Sequence, residues 1–529
     1  MKTIKKVKME TLKTAILFCI AVALAGCDLP VMRNYDVDTS PDGVRFRTVL
    51  EHFENNYNKD LTMYCRAIRH AGLQETIESG GMTLVAPVNL AFNDLLAQFE
   101  VESIEEINPV VLRSLLLYLI FPGDYRAVTM TPDEDYRCVS LAGDPIHIKR
   151  APTTSNKYRV VINDTNELAS GLVTVSQQDY VFKDQVVVQV VGTFITYMPP
   201  VLATQRRPDS FVLPEDVSTA TLTVTDDCSV YQGNTIQSYN GATMQVTGRT
   251  GQFRYGFFKF PLDDIDFKDD ISSATLVTRI YNVITYSIGE QCTVEFREFH
   301  FSDWQEASAS WDIMRGPYDS PIERAPIVIE RTNFTVFSTS GEDWLLYPDN
   351  LRTDVSASIS NYYMRDSTHF SVLVADISAN VAAAGTQIQF CTRNAAVTNN
   401  RFYSHIELMG AFPSEMVLMR NNPVVVTDGV ATLDPEIHFS MGNRTGAAYP
   451  ISDRNTIFVM KTPPANGFLT IYGIPAKVNS RFTQAQMRAG VVKYLRTTNT
   501  SDSFELKALD YLGGMYYEGD DPGITVHVN

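Results

Sequence analysis

Cysteine is scarce in this sequence, and the few cysteines are far apart. Of the seven, two lie within the first 27 residues, and the other five are Cys65, Cys138, Cys228, Cys292 and Cys391. No pair has the Cys-x-x-Cys spacing, so nothing in the sequence supports a zinc site or a thioredoxin-like redox site. Five is an odd number, so at least one thiol must stay free or pair outside the chain. We expect these cysteines to be small buried hydrophobic residues.

An excess of basic charge is also missing. The chain has 44 lysines and arginines against 61 aspartates and glutamates, which gives a formal net charge of −17. Proteins that bind nucleic acid need a basic surface, so this balance argues against a nucleic-acid partner. It mildly favours an uncharged or cationic ligand over a polyanion.

Catalytic signatures are absent as well. The sequence has no Gly-x-Ser-x-Gly, no His-Glu-x-x-His, no phosphate-binding glycine loop, no dinucleotide-binding fingerprint and no EF-hand loop. The acidic pairs Asp226-Asp227, Asp263-Asp264 and Asp520-Asp521 are neighbours in sequence. Neighbours in a strand point to opposite faces, so such pairs make poor acid-base couples. The sequence therefore supports no enzyme, no cofactor and no metal site.

The apolar stretch near the start is too short to span a bilayer, which takes about 20 residues. It runs from Ala15 to Ala25, follows five lysines and leads into Gly26-Cys27. A charged start, a short apolar run and small residues are the features of a secretory signal. With a cysteine directly after the small residues, the segment resembles a bacterial lipoprotein signal, which implies cleavage before Cys27 and lipid on Cys27. The alternative is an ordinary signal peptide with a chance cysteine.

This resemblance predicts a signal peptide over residues 1–26 and a lipid-anchored spacer over residues 27–44. The expected location is the cell outer membrane of a Bacteroidetes-like bacterium, with the protein facing the cell exterior. A total of 529 residues is long enough for about three domains.

Residues 45–200 are predicted to mix helices and strands. Apolar residues recur at helical spacing in 45–57, 61–73 and 110–120, and 185–195 is rich in β-branched residues. The segment Met82 to Phe92 has the spacing Thr-x-x-Ala-Pro-x-Asn-x-Ala-Phe.

This spacing, with Leu116 to Gly123, resembles the fasciclin-like domain, which implies an α+β fold and a role in adhesion or interactions. We expect Asn89 to order a turn before a helix and Phe92 to fill the core. Family members usually have histidine where this chain has Leu119, and Asn-Gly-Val-Val-His where it has residues 184–188.

Residues 199–216 contain four prolines, which predicts a stiff linker over residues 201–216. In residues 217–412 short alternating runs replace the helical periodicity, which predicts an antiparallel β-sandwich. These runs are Thr219 to Val224, Thr243 to Thr247, Arg254 to Phe260, Ala274 to Ile280, Thr293 to Phe299, Phe370 to Val374 and Gln387 to Cys391.

Residues 217–412 also resemble the jelly-roll carbohydrate-binding modules found beside polysaccharide lyases and disaggregatases. The resemblance rests on residues 227–231, 239–242, 254–260, 271–276 and 304–311. It implies a jelly-roll-like fold and a polysaccharide or oligopeptide ligand.

Five side chains in this region are candidate ligand contacts. The three tryptophans of the chain, Trp304, Trp311 and Trp344, all lie here, and a flat aromatic face can pack on a sugar ring. The alternative for Trp304 and Trp311 is a packing role. Arg254 and Lys259 could meet a uronate carboxylate, and the alternative for them is a solvated strand face.

Residues 422–529 carry a third pattern. The elements Pro463-Pro464-x-x-Gly467, Phe482-Thr483-Gln484 and Asp502-Ser503-Phe504 follow one another in order. They resemble the cadherin-like repeat of chondroitin sulfate proteoglycan cores, which implies a small β-sandwich that acts as a spacer or interaction module. Thr483 and Gly490 are predicted to cap and end a short helix between them.

These features together predict a non-catalytic surface lipoprotein. The first hypothesis is an accessory ligand-binding subunit of a TonB-dependent nutrient uptake complex of the starch-utilisation type. Its partners would be the transporter and that transporter's substrate-binding lipoprotein. The second hypothesis is an adhesin or envelope-assembly protein. A third is a lyase or hydrolase hidden in residues 217–412.

Overall fold

The structure is a computed structural model of the chain. It describes residues 47–55, 59–152, 158–165, 167–168, 173–201, 204–205, 207–208, 211–232, 243–248, 253–284, 291–301, 303–318, 320–325, 327–336, 351–378, 387–393, 404–445, 447, 449, 451–519 and 521–529. The chain divides into two compact units, residues 1–200 and 201–529. Within the described part, no helix is long and apolar enough to cross a membrane.

The described part of the first unit combines five helices with one mixed sheet. Its helices are α1 (Val49–Asn55), α2 (Thr62–His70), α3 (Gln74–Glu78), α4 (Asn89–Phe99) and α5 (Pro109–Tyr118). Its strands are β1 (Met82–Pro87), β2 (Ile120–Pro122), β3 (Asp135–Val139), β4 (Pro145–Pro152), β5 (Tyr158–Ile162), β6 (Val173–Val181) and β7 (Val187–Val191).

The sheet of the first unit has the order β2-β1-β7-β6-β5-β4-β3. Strands β1 and β7 pair in parallel, and both are buried along nearly their whole length. A strand covered on both faces needs a continuous apolar run, and the β-branched residues of 187–191 provide one. The predicted strand over 185–195 is thus confirmed with narrower bounds.

The Asn89–Phe92 turn behaves as the spacing predicts. The Asn89 side chain accepts a hydrogen bond from the Met63 amide at 2.9 Å, and this ties the start of α4 to α2. Phe92 is fully buried. Both residues therefore have structural roles at the start of this helix.

The predicted helix over residues 110–120 ends early. Helix α5 stops at Tyr118, and Ile120 to Pro122 form β2, which pairs with the start of β1. Helical periodicity does not report this change, because pairing along the sheet edge depends on a segment that lies far away in sequence.

The second unit is built mostly of β-strands. In residues 217–412, here called the middle β region, these are β8 (Thr219–Thr223), β9 (Asp226–Tyr231), β10 (Thr243–Val246), β11 (Arg254–Pro261), β12 (Ile271–Thr278), β13 (Ile280–Ile284), β14 (Gln291–Glu298), β15 (Val328–Thr335), β16 (Leu351–Asp354), β17 (His369–Asp376), β18 (Gln387–Cys391), β19 (His405–Gly410) and β20 (Phe412–Pro413). Two helices accompany them, α6 (Trp311–Arg315) and α7 (Ser356–Met364).

The middle β region has three antiparallel sheets. Their strand orders are β15-β14-β17-β11-β9, β16-β12-β19-β8 and β10-β18-β13. Large side chains from all three sheets, such as Phe258, Leu276 and Phe390, meet in one buried core. The seven predicted runs all coincide with strands of these sheets, whereas the alternating pattern did not mark β9, β15, β16 and β19.

Residues 422–529, here called the C-terminal β region, continue the second unit. Their strands, with β21 just before residue 422, are β21 (Met416–Asn421), β22 (Val430–Thr432), β23 (Phe439–Asn443), β24 (Thr456–Thr462), β25 (Gly467–Ile471), β26 (Ile474–Pro475), β27 (Arg481–Thr483), β28 (Val492–Arg496), β29 (Asp502–Asp510), β30 (Gly514–Met515) and β31 (Gly523–Val528). The sheet orders are β20-β30-β29-β24-β27, with β31 beside β29, then β21-β23 and β22-β28-β25-β26.

The predicted helix cap at Thr483 is confirmed. Helix α8 (Gln484–Arg488) starts with a capping box in which Thr483 and Gln486 each bind the other's backbone amide. Gly490 has a positive φ of 77°, which glycine adopts without strain.

The five described cysteines are all buried. This confirms the expectation that they act as small hydrophobic residues. Burial raises the pKa of the Cys65 thiol to about 12, so this thiol stays protonated and unreactive.

Candidate ligand-binding site

Two of the predicted site residues lie outside the described residues. These are Cys27, the predicted lipidation site, and Trp344, one of the candidate ligand contacts. The other candidates, Arg254, Lys259, Trp304 and Trp311, are all described.

Trp304 and Lys259 bind each other rather than facing solvent. Trp304 is 1% exposed and Lys259 is 6% exposed. The Lys259 ammonium donates to the Trp304 carbonyl at 2.5 Å and lies 5.3 Å from the centre of the Trp304 ring. The indole nitrogen of Trp304 donates to the Ser371 hydroxyl at 3.2 Å. Trp304 therefore has a packing role. Lys259 is buried and does not lie on a solvated strand face.

A group of charged side chains surrounds this pair; Asp227 and Glu306 are buried, and Arg393 is 42% exposed. The Lys259 ammonium lies 3.2 Å from a carboxylate oxygen of Asp226, whose other oxygen accepts from the Glu306 amide at 3.1 Å. Arg393 pairs with Glu306 at 2.5 Å, and its amide donates to Asp227 at 2.6 Å. Charges removed from water need such partners, so the group fastens the segments around residues 306 and 393 to β9.

Asp227 is the most deeply buried member of that group. It is 0% exposed, and its Oδ1 atom has no hydrogen-bond partner among the described residues. Burial raises its pKa to about 6, and the nearby Glu306 carboxylate adds to the effect.

Trp311 belongs to a stack of three rings. It packs on Tyr255 with ring centres 5.7 Å apart, and Tyr255 packs on Phe253 at 6.1 Å. Trp304, Trp311 and Tyr255 share one small core that holds the segment 299–325 against the outer face of the five-stranded sheet. Trp311 therefore has the packing role too.

Arg254 faces the opposite side of that sheet. Side chains alternate along β11, and Phe257 joins the small outer core whereas Phe258 joins the main core. Arg254 lies on the side of Phe258, where its guanidinium stacks 4.8 Å from the centre of the Tyr231 ring. The structure thus does not bring Arg254 together with Lys259 and the tryptophans into one site.

A cleft on another sheet brings polar side chains together in one place, which the predicted ligand contacts do not. It has a volume of about 280 Å³ and lies on the outer face of the four-stranded sheet of the middle β region. Its lining residues are Arg207, Leu213, Thr219, Ala220, Thr221, Ser273, Thr275, Glu407, Leu408 and Met409. We call it the hydroxyl cleft.

The register of three strands places the hydroxyl groups of this cleft in rows. Thr221 pairs with Glu407, and Glu407 pairs with Thr275 on its other side. In the next row Thr219 and Ser273 flank Met409. Directly opposite residues share a face and lie about 5 Å apart. The cleft floor therefore presents hydroxyl groups on both sides of a carboxylate.

The carboxylate of Glu407 is held in its charged form. Arg352 donates to both of its oxygens, at 2.6 and 3.3 Å, and His405 lies 3.5 Å away. The hydrogen bond from His405, together with Arg352, lowers the Glu407 pKa to about 2. A permanently charged acceptor flanked by hydroxyl groups is suited to bind a ligand that carries many hydroxyl groups.

The segment predicted as a linker forms the wall of this cleft. Arg207 donates to the sulfur of Met409 at 2.8 Å, and Leu213 lines the cleft beside it. On either side of Arg207 in the sequence, Gln205 accepts a hydrogen bond from Asn455 at 3.1 Å, and the Phe211 ring packs on Tyr449 with ring centres 5.4 Å apart. These residues run along the second unit and make contact with both of its β regions.

Sequence reasoning did not find the hydroxyl cleft. Its signal was the alternation Thr219, Thr221, Thr223, which on its own is typical of any solvated strand face. Glu407 and Thr275 are far from this run in sequence, so only the strand pairing reveals that they share its surface.

Two departures from the fasciclin pattern, Leu119 and Val188, fall in the core of the first unit and are completely buried. Two others, Asp184 and Gln185, are exposed. At the two buried positions an apolar residue packs between the helices and the sheet, so the described structure gives them a structural role.

Comparison with curated proteins finds no match. Among solved structures, a β-1,2-glucanase from Parabacteroides distasonis aligns at 9% identity with a TM-score of 0.11, over 59% of this chain and 36% of that one. The alignment thus spans about a third of the glucanase, and a TM-score this low carries no argument about fold. The family comparison is more informative: residues 59–196 match the Fasciclin domain, and the first unit therefore contains a Fasciclin domain.

Proposed function

We propose that this protein is a non-catalytic surface lipoprotein that captures a neutral, hydroxyl-rich ligand. In this proposal it is an accessory subunit of a TonB-dependent, starch-utilisation-type uptake complex in the outer membrane. Lipid on Cys27 tethers it, and the hydroxyl cleft of the middle β region binds the ligand. The Fasciclin domain and the C-terminal β region contact the transporter and its substrate-binding lipoprotein, or set their distance.

One observation carries this proposal. The hydroxyl cleft places Thr221 and Thr275 on either side of a Glu407 carboxylate that Arg352 keeps charged. Carboxylate and hydroxyl groups in fixed positions can accept from and donate to several sugar hydroxyls at once. The resemblance of residues 217–412 to jelly-roll carbohydrate-binding modules supports the same ligand class.

The capture role is tested with a ligand screen on the full chain. Neutral oligosaccharides, uronate-containing oligosaccharides and short peptides are titrated by calorimetry, and each mixture is then assayed for new reducing ends. We expect a neutral oligosaccharide to bind and no reducing ends to appear. Binding of none of these ligands, or release of reducing ends, would contradict the proposal.

Membership of an uptake complex is tested by purification from detergent-solubilised membranes. We expect a TonB-dependent transporter and its substrate-binding lipoprotein to purify with this chain. A Cys27→Ser variant is the matched control for the lipid anchor, because it should release the protein from the membrane fraction. Retention of that variant in the membrane fraction would contradict the anchor.

The Fasciclin domain at residues 59–196 favours a second candidate function. In this alternative the protein is an adhesin or an envelope-assembly protein, and the cadherin-like resemblance of residues 422–529 fits the same role. Deletion of the gene separates the two candidates. Loss of growth on one polysaccharide with normal attachment supports capture, and loss of attachment with normal growth supports adhesion.

A further inference from the structure

A second cleft lies within the second unit, where the middle and C-terminal β regions meet. It has a volume of about 210 Å³. Its lining residues are Lys268, Asp269, Ile271, Ser360, Met364, Val459, Met460, Lys461, Val478, Asn479, Arg481, Lys507, Leu509 and Met515. We call it the junction cleft.

Arg481 is the central cation of the junction cleft. Its two Nη atoms donate to the carbonyls of Ser272 and Ile271 at 3.1 and 3.4 Å, so it joins the two β regions. Its Nε atom is buried and has no hydrogen-bond partner among the described residues. Within that part of the chain no carboxylate forms an ion pair with Arg481. The Asp354 carboxylate interacts with Arg481 through its charge, but the Nε donor stays unused. A buried donor without a partner is costly unless a ligand atom accepts from it.

Three lysines add positive charge to the lining, and their carboxylate partners lie on the exposed rim. Lys461 is 3.2 Å from Asp521 and 3.4 Å from Glu505, and Lys507 is 3.1 Å from Asp270. The Asp521 and Asp270 side chains are 65% and 59% exposed. Exposed ion pairs contribute little to stability, so these lysines can turn to a bound anion at little cost.

The same lining contains one carboxylate, Asp269, among its described residues. Each lining lysine pairs with a carboxylate outside the lining: Lys268 with Asp264, Lys461 with Asp521 and Glu505, and Lys507 with Asp270. An anion therefore gains the lysine charges only when these pairs open.

The rest of the lining is apolar. Met460, Met515 and Leu509 are buried, and Met364, at the end of α7, is 56% exposed. Methionine side chains are flexible and fit apolar groups of different shapes. The volume is below the 300 to 1,000 Å³ or so of pockets for drug-sized ligands, so the occupant is small.

We propose that the junction cleft binds a small monocarboxylate with an apolar body. Arg481, Lys461 and Lys507 hold the carboxylate, and the methionines contact the apolar part. The site depends on both β regions, because Ile271 and Met364 come from one and Arg481 and Lys507 from the other. This proposal does not rest on the capture role of the hydroxyl cleft.

The test uses 4-methylpentanoate as the probe and 4-methylpentanamide as its neutral counterpart, titrated into the full chain by calorimetry. The double variant Lys461→Gln/Lys507→Gln removes two charges without touching Arg481, which the fold needs. Lys493→Gln, on β28, is the matched control. Thermal unfolding of each variant establishes that the second unit remains folded.

We expect the carboxylate to bind at least about tenfold more tightly than the amide, since about 1.4 kcal/mol of charge-assisted bonding gives that ratio. The double variant should lose about the same factor, and Lys493→Gln should bind as the unaltered chain does. Equal binding of carboxylate and amide, unchanged binding in the folded double variant, or no binding of the carboxylate would overturn the proposal.

Discussion

At the scale of single residues, Asp227 and Glu407 show how environment sets the charge of a carboxylate. Both lie on strands of the middle β region, yet burial raises the pKa of Asp227 to about 6, whereas His405 and Arg352 lower that of Glu407 to about 2. The sequence distinguishes neither residue, because the partners are supplied by segments that are distant along the chain.

The raised pKa of Asp227 predicts a specific pH dependence of stability. The folded state takes up the proton at about pH 6 and the unfolded chain at about 3.9. Stability should therefore fall as the pH rises from about 4 to about 6, by about 2 to 3 kcal/mol for this group. Asp227→Asn should remove that part of the slope in urea unfolding measured across this range. Identical slopes in the two proteins would contradict the assignment.

Glu407 should behave in the opposite way. Its folded pKa lies below the unfolded value, so its stabilising contribution is present above about pH 4.3 and is lost as the pH falls toward 2. Because the Glu407 side chain is 37% exposed, solvent screening reduces this contribution to about 1 kcal/mol. Acid titration of Glu407→Gln by circular dichroism should show a shallower loss of structure than the unaltered chain. A steeper loss would argue against the Arg352 pairing.

At the scale of elements, local signals in the sequence located β7, the seven runs of the middle β region and the short helix α8. Strand alternation, turn residues and the Thr483 cap each depend on residues that are close together in sequence, so they can be predicted from the sequence. The change from α5 to β2 after Tyr118 is not local, since β2 forms by pairing with Met82 to Leu84.

The Thr483 cap predicts a measurable cost on removal. Thr483→Ala breaks the capping box with Gln486 and should lower the free energy of unfolding by about 1 kcal/mol. Thr483→Ser keeps a hydroxyl acceptor and should restore most of it. Equilibrium unfolding in urea measures both, and equal stability of the alanine and serine variants would show that the cap contributes little.

At the scale of the whole molecule, the sequence predicted three modules and the structure has two compact units. The middle and C-terminal β regions share strands β20 and β30 in one sheet, and Val459, Leu509 and Met515 form a small core there with Ala411. Composition and periodicity describe each region separately. Composition and periodicity contain no information about a surface formed between two regions. Both clefts are lined by residues that are far apart in sequence, so neither could be predicted.

Because the middle and C-terminal β regions share a sheet and a small core, we predict that the second unit unfolds in one cooperative transition. Met515→Ala removes a buried side chain from the small core and should destabilise by about 2 to 5 kcal/mol. In calorimetry the transition of residues 201–529 should move to lower temperature without splitting. Met419→Ala, at an exposed position, is the control and should change stability by less than about 0.5 kcal/mol. Two separate transitions within residues 201–529, beyond that of the first unit, would contradict a single body.

The central claim is that the hydroxyl cleft binds a neutral glycan. The most direct measurement is calorimetric titration of the tightest-binding neutral oligosaccharide into Thr221→Val/Thr275→Val, which removes two hydroxyls and keeps their shape. We predict about tenfold weaker binding, since each lost hydrogen bond costs about 0.5 to 1.5 kcal/mol. The control variant Thr525→Val, on β31, should bind the oligosaccharide as the unaltered chain does. Unchanged affinity in the double variant would contradict the claim.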